Sequence, residues 1–121
     1  KTWQLDACLP HIADVLRANR SAVVIPFLNG VDATDVIRSS LSGGDLADAA
    51  ERVLSGIAKC IAYVSRPGAV VLEREIGVLI GPGGSVLTAP TLASLQALQG
   101  ALERSAISTT LVEDVEVMAR E

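Results

Sequence analysis

The sequence predicts an α/β domain that contains an antiparallel β-meander. Three observations predict it. Apolar residues recur at three- and four-residue steps over residues 5–16 and 92–102; β-branched runs stand at 22–28, 69–72 and 77–80; and Asn-Gly and Pro-Gly turns punctuate the runs. The expected order is helix, strand, helix, meander, helix, strand and the start of a further helix.

The first helix carries Leu5, Cys8, Leu9, Ile12, Val15 and Leu16 at helical spacing. Asp6 is its expected N-cap, with Pro10 in the first turn, where a missing N–H costs little. Residues 21–28 form an apolar run without polar alternation, the pattern of a strand covered on both faces. Pro26 removes one ladder donor, so that strand either ends near it or meets no neighbour on that side. Asn29-Gly30 closes it as a turn, and Asp32 or Thr34 can cap a helix bearing Val36, Ile37 and Leu41.

Residues 41–44 read as a loop and residues 45–52 as a short alanine-rich helical turn. The chain then turns β-like from Val53 to Val64. Arg66-Pro67-Gly68 supplies turn chemistry, and two short strands follow at 69–72 and 77–80. After the glycine-rich connection 81–85, Thr88 or Thr91 can cap a helix with Leu92, Leu95, Leu98 and Leu102 on one side. Residues 106–112 read as a last strand, and Glu113-Asp114 as an acidic helix start.

At 121 residues, 50% hydrophobic and 20% charged, the chain can bury one core, which excludes disorder. Ten Lys+Arg against fourteen Asp+Glu give a net charge of -4 and no basic excess for nucleic acid. The apolar runs fall well short of the roughly 20 residues that span a bilayer, so no membrane segment is expected. Cys8 and Cys60 lack a CxxC spacing and sit in apolar stretches, which predicts buried thiols in a reducing, cytoplasmic setting. With Lys1 in place of a methionine, and both ends inside structured-looking sequence, the chain reads as a piece of a longer protein.

Candidate chemistry is sparse. His11 has no second histidine for a metal set, and no GxSxG elbow offers a serine nucleophile. The glycines at 81–84 lack the lysine of a phosphate loop and read as a turn. Asn29-Gly30 stands at the carboxyl end of the most apolar strand, where open α/β sheets place ligand crevices. Asn29 is therefore either a turn asparagine or a ligand contact.

The segments Lys1-Thr2-Trp3-Gln4, Leu28-Asn29-Gly30, Gly56, Arg66-Pro67-Gly68-Ala69 and Ile80-Gly81 together resemble the ketopantoate reductase family in order and spacing. The resemblance implies an NADPH-dependent reduction of 2-dehydropantoate to pantoate. It also implies that residues 1–121 are the second half of a Rossmann-like domain. The GxGxxG unit that holds the cofactor pyrophosphate would precede Lys1, and an all-helical domain would follow. By position, Lys1 and Asn29 match cofactor contacts, Asn29 also a substrate contact, and Ala62 a backbone approach to the same crevice. The family's general-acid lysine would lie beyond Glu121, so the chain is expected to be inactive alone. No metal site is implied.

Two other readings stay open: a stand-alone, non-catalytic α/β interaction module, and a reductase of another 2-oxo acid. A chain that folds by itself is expected to form a homodimer through the strand at 22–28, whose neighbour would precede Lys1.

Overall fold

The computed structural model describes residues 2–28 and 32–113. Helix α1 (Leu5–Ala18) turns Leu5 and Leu16 into the core, with Leu9, Ile12 and Ala13 packed alongside. The helix starts earlier than expected. Asp6 is its second residue rather than its cap, and Pro10 stands in the second turn, where it removes the bond to the Asp6 carbonyl. The buried stripe is also narrower than the sequence pattern. Val15 is exposed, and so is Cys8.

Residues 22–28 meet residues 52–54 at one parallel bridge, Val24 to Val53, closed by Val24 N–H to Arg52 O (2.9 Å) and Leu54 N–H to Val24 O (2.8 Å). A parallel ladder would next take a donor from position 26 to the Leu54 carbonyl, and Pro26 has none. The packing is nonetheless that of a strand covered on two faces. Ala22, Val24 and Leu28 join one apolar cluster, and Val23 and Ile25 join the other.

Helix α2 (Ala33–Leu41) follows, with Asp32 at its N-cap position and Thr34, Ile37 and Leu41 buried. Thr34 is thus a core residue and not the cap, and Val36 faces out. The expected helical turn is the short 3-10 helix Ala47–Arg52. From its end the Arg52 guanidinium donates to the carbonyls of Leu16 (2.9 Å), Asn19 (2.8 Å) and Ala22 (3.2 Å), pinning the exit of α1.

Strands β1 (Ser55–Arg66) and β2 (Ala69–Gly81) form an antiparallel hairpin, in register from Ser55 opposite Gly81 to Arg66 opposite Ala69. Gly68, at φ +77°, supplies the turn. The two short strands expected at 69–72 and 77–80 are one strand. The charged interval between them is absorbed by register shifts near Lys59, Ile61 and Ala62 instead of breaking the ladder. Only the foot of the hairpin is buried; from Ala58 to Arg74 it stands clear of the body. Cys60 lies on this exposed part, so neither thiol is buried as the sequence suggested, and both are free.

Helix α3 (Ala89–Arg104) begins at Thr88, whose hydroxyl accepts from Thr91 N–H (3.4 Å). It packs Leu95, Leu98 and Leu102 onto Leu54, Val78 and Ile80. Its end is a Schellman turn: Ala106 N–H reaches Glu103 O (3.1 Å) and Ile107 N–H reaches Leu102 O (2.9 Å). Ala106 takes φ 61° there, a position usually held by glycine. Strand β3 (Ser108–Leu111) then pairs with β2 in parallel, completing the order β1-β2-β3. The helix start expected at Glu113-Asp114 falls on residues outside those described.

Candidate functional site

The carboxyl end of residues 22–28 is where the sequence directs attention, and the foot of the hairpin is built against it. A Cβ on Gly56 would come within 2.6 Å of both Ile25 and Phe27, so only glycine lets β1 pass this close. Beyond that contact β1 carries Ala62, exposed and opposite Leu72 on β2. Of the three residues singled out from the sequence, only Ala62 is among those described. Lys1 and Asn29 lie outside them.

Beneath this end a polar lock joins α2, the β1 lead-in and the loop 81–85. The Thr34 hydroxyl donates to the Leu54 carbonyl (3.2 Å), the acceptor that Pro26 leaves unserved. With its one proton spent there, Thr34 accepts from the Ser55 hydroxyl (2.9 Å). One turn along α2, the Arg38 guanidinium donates to the carbonyls of Val53 (2.6 Å), Pro82 (2.6 Å) and Gly83, and to the Ser85 hydroxyl (2.9 Å). Gly83, at φ +57°, lies so close to Ser55 that a Cβ would stand 2.2 Å from the Ser55 hydroxyl oxygen.

The lock shows what the glycine loop does. It turns carbonyl oxygens, not N–H groups, toward its interior, and a guanidinium already fills that interior. A phosphate would meet acceptors there instead of donors. Sequence reasoning passed over Arg38, although the spacing Thr34, Arg38, Leu41 places it on the inward side of α2.

Two hollows lie elsewhere. A groove of about 400 Å³ opens between the end of α1, the 3-10 helix and the start of α3, lined by Arg17, Arg20, Ser21, Asp45, Arg52 and Thr88. It sits at the amino end of residues 22–28. On its wall Arg17 grips Asp45 through Nε to Oδ2 (2.8 Å) and Nη2 to Oδ1 (3.1 Å). This pair holds the Asp45 carboxyl below its ordinary value and raises Arg17, chiefly through the hydrogen bonds. The second hollow, about 310 Å³, is apolar and lined by Ile80, Pro82, Leu87, Leu92, Leu95 and Leu111. Among the described residues no cluster of three or more His, Cys, Asp or Glu could hold a metal, and no helix is long and apolar enough to cross a membrane.

These residues do not supply a cradle for a dinucleotide pyrophosphate. What they supply at the carboxyl end of residues 22–28 is the close contact of Gly56 with Ile25 and Phe27, with the lock beside it.

Comparison with known proteins places this arrangement. The family model for ketopantoate reductase PanE/ApbA matches residues 1–84. No curated protein matches the chain. Among solved structures, the chain is similar to a protein from Enterococcus faecalis assigned as a 2-dehydropantoate 2-reductase, with a TM-score of 0.69 and 19% identity. The match covers 98% of this chain and 34% of that one, so the chain spans about a third of the solved protein's length.

Proposed function

Because the chain belongs to the ketopantoate reductase family, we propose that it forms part of the reductase domain of an enzyme that reduces 2-dehydropantoate to pantoate with NADPH. The family match over residues 1–84 carries this reading. The α/β fold shared with a reductase-like structure agrees with it.

In this reading residues 1–121 are the second half of the Rossmann-like domain. Asn29, at the end of the apolar segment, offers a donor and an acceptor to the cofactor's amide side and to the 2-oxo acid. Lys1 draws a phosphate or carboxylate, while Ala62, which the resemblance implies for the same crevice, lies on the arm that stands clear of the body in this chain. The pyrophosphate falls to residues other than those described, because the loop 81–85 is already closed around Arg38. So does the general acid, without which residues 1–121 are inactive. The setting is cytoplasmic, in keeping with two free thiols.

The test is NADPH oxidation on addition of 2-dehydropantoate, run on this chain and on the longest in-frame product that contains it. The longer product turns over and this chain does not. In the active product Asn29→Ala lowers kcat/KM about tenfold or more, through loss of buried hydrogen bonds. Turnover with another 2-oxo acid alone would replace the substrate, and unchanged kinetics in Asn29→Ala would remove the residue from the site.

A further inference from the structure

Gly56 is required by space and not by backbone conformation. Its φ lies outside the left-handed region, so an L side chain would be allowed there if there were room. There is none. A Cβ would stand 2.6 Å from Ile25 Cγ2, 2.6 Å from Phe27 Cε1 and 3.0 Å from Phe27 Cδ1. Gly77, on the other strand of the same hairpin, is the contrast: a Cβ there would meet the Ser108 carbonyl oxygen at 3.7 Å, an ordinary contact.

The two side chains that approach Gly56 differ in how they can give way. The Phe27 ring can swing aside about its own torsions. The Ile25 Cγ2 methyl is a branch on Cβ and stiff at χ1, so it moves only with the backbone of its own residue. On the opposite side β1 is fixed, because Gly56 pairs with Ile80, which is fully buried against Leu54 and Leu95. Toward β1 the segment's backbone bonds are those of Val24, and none follows at residues 25–28. A methyl at position 56 therefore pushes residues 25–28 away from β1, and the residue they lead to is Asn29.

The geometry points to Gly56 as a positioning residue: the side chain it lacks sets the distance between β1 and residues 25–28, and through them the place of Asn29. The role rests on the reading of Asn29 as a contact of the cofactor and the 2-oxo acid. Gly56 acts on the reaction only through where Asn29 stands. A misplacement of about 1 Å at such a contact costs up to about a hundredfold in rate.

The test compares Gly56→Ala, Gly77→Ala and the double variant Gly56→Ala/Ile25→Leu in the longest in-frame product. Leucine has no branch at Cβ, so it removes the clashing methyl at nearly constant volume. Gly56→Ala lowers kcat by about tenfold or more and changes KM for NADPH by no more than about twofold, since other residues hold the pyrophosphate. Gly77→Ala keeps the parent kcat, and the double variant regains it. The Asn29 amide signals in NMR report its place without reference to the reaction: they move in Gly56→Ala and return in the double variant. An unsubstituted product that does not turn over removes the reductase reading, and the Asn29 signals then decide the positioning by themselves. Signals unmoved in Gly56→Ala overturn the proposal. Where Gly56→Ala alone does not fold, the double variant decides: it regains the parent's Asn29 signals, or the proposal is overturned.

Discussion

Residues 22–28 and the β1–β2 hairpin are both β-structure, and they are held by opposite means. The segment has one backbone bridge, yet its side chains enter both apolar clusters. The hairpin is laddered along its whole length, yet beyond its foot Ile61, Tyr63, Val64, Val70 and Leu72 are exposed. Hydrogen bonding and burial are separable contributions, and each region lacks the one the other has. The segment is fixed by what packs on it, and the hairpin arm by its own turn and ladder.

The largest expected effect tests that division directly. Leu54, fully buried between the segment and α3, should cost about 2–5 kcal/mol as Leu54→Ala, since the hollow it leaves cannot refill. Val70, 70% exposed on the arm, should change stability by no more than about 0.5 kcal/mol as Val70→Ala. Urea denaturation of the two variants decides it. Comparable losses would mean that the arm is buried in solution and that the division is false.

The second test concerns the acceptor that Pro26 leaves open. Thr34→Val keeps the shape and removes the hydroxyl that serves the Leu54 carbonyl, at an expected cost of about 1–3 kcal/mol. Pro26→Val supplies an N–H at the position where the parallel ladder would continue. In that background Thr34→Val should cost less, by about 0.5 kcal/mol or more across the double-mutant cycle. Strictly additive losses would show that the ladder stops at Val24 for a reason other than the proline.

How much of this could be read from the sequence follows the same division. The segment's double coverage was legible because burial on both faces leaves an unbroken apolar run, and the consequence of Pro26 was legible because it is a matter of one missing donor. The family itself was legible in a handful of spaced residues around Asn29 and Arg66. The arm was not legible. Val70, Val71 and Leu72 look like core residues, and the run from Glu73 to Ile76 looks like a break. Apolar content does not reveal that a hairpin outruns the body it grows from, nor that shifts in register can carry charges through a ladder. For the same reason Cys60 was expected to be buried. The lock was missed because Arg38 acts on carbonyls brought together from loops far apart in sequence. The role proposed for Asn29 rests on the resemblance and on its place at the carboxyl end of the apolar run, since Asn-Gly is also an ordinary turn.

The smallest expected effect extends the comparison to charge. On the arm, Lys59, Arg66, Glu73 and Arg74 enter no ion pair among the described residues, whereas at the base Arg17 bridges α1 to Asp45 in two hydrogen bonds. Asp45 is held below its ordinary value in the folded chain, so the proton binds more readily once the chain unfolds. The pair therefore stabilises fully above the ordinary carboxylate range, and its contribution disappears as pH falls through the lowered value of the folded state. Arg17, raised by the same contact, stays charged throughout that window. Both side chains are solvent-exposed, so the gain in stability is slight and the titration is the better readout. Carboxyl chemical shifts followed by NMR should place the Asp45 midpoint below that of the same group in Arg17→Gln. Equal midpoints would mean that water dissolves this contact, and that the base, like the arm, owes nothing to its surface charges.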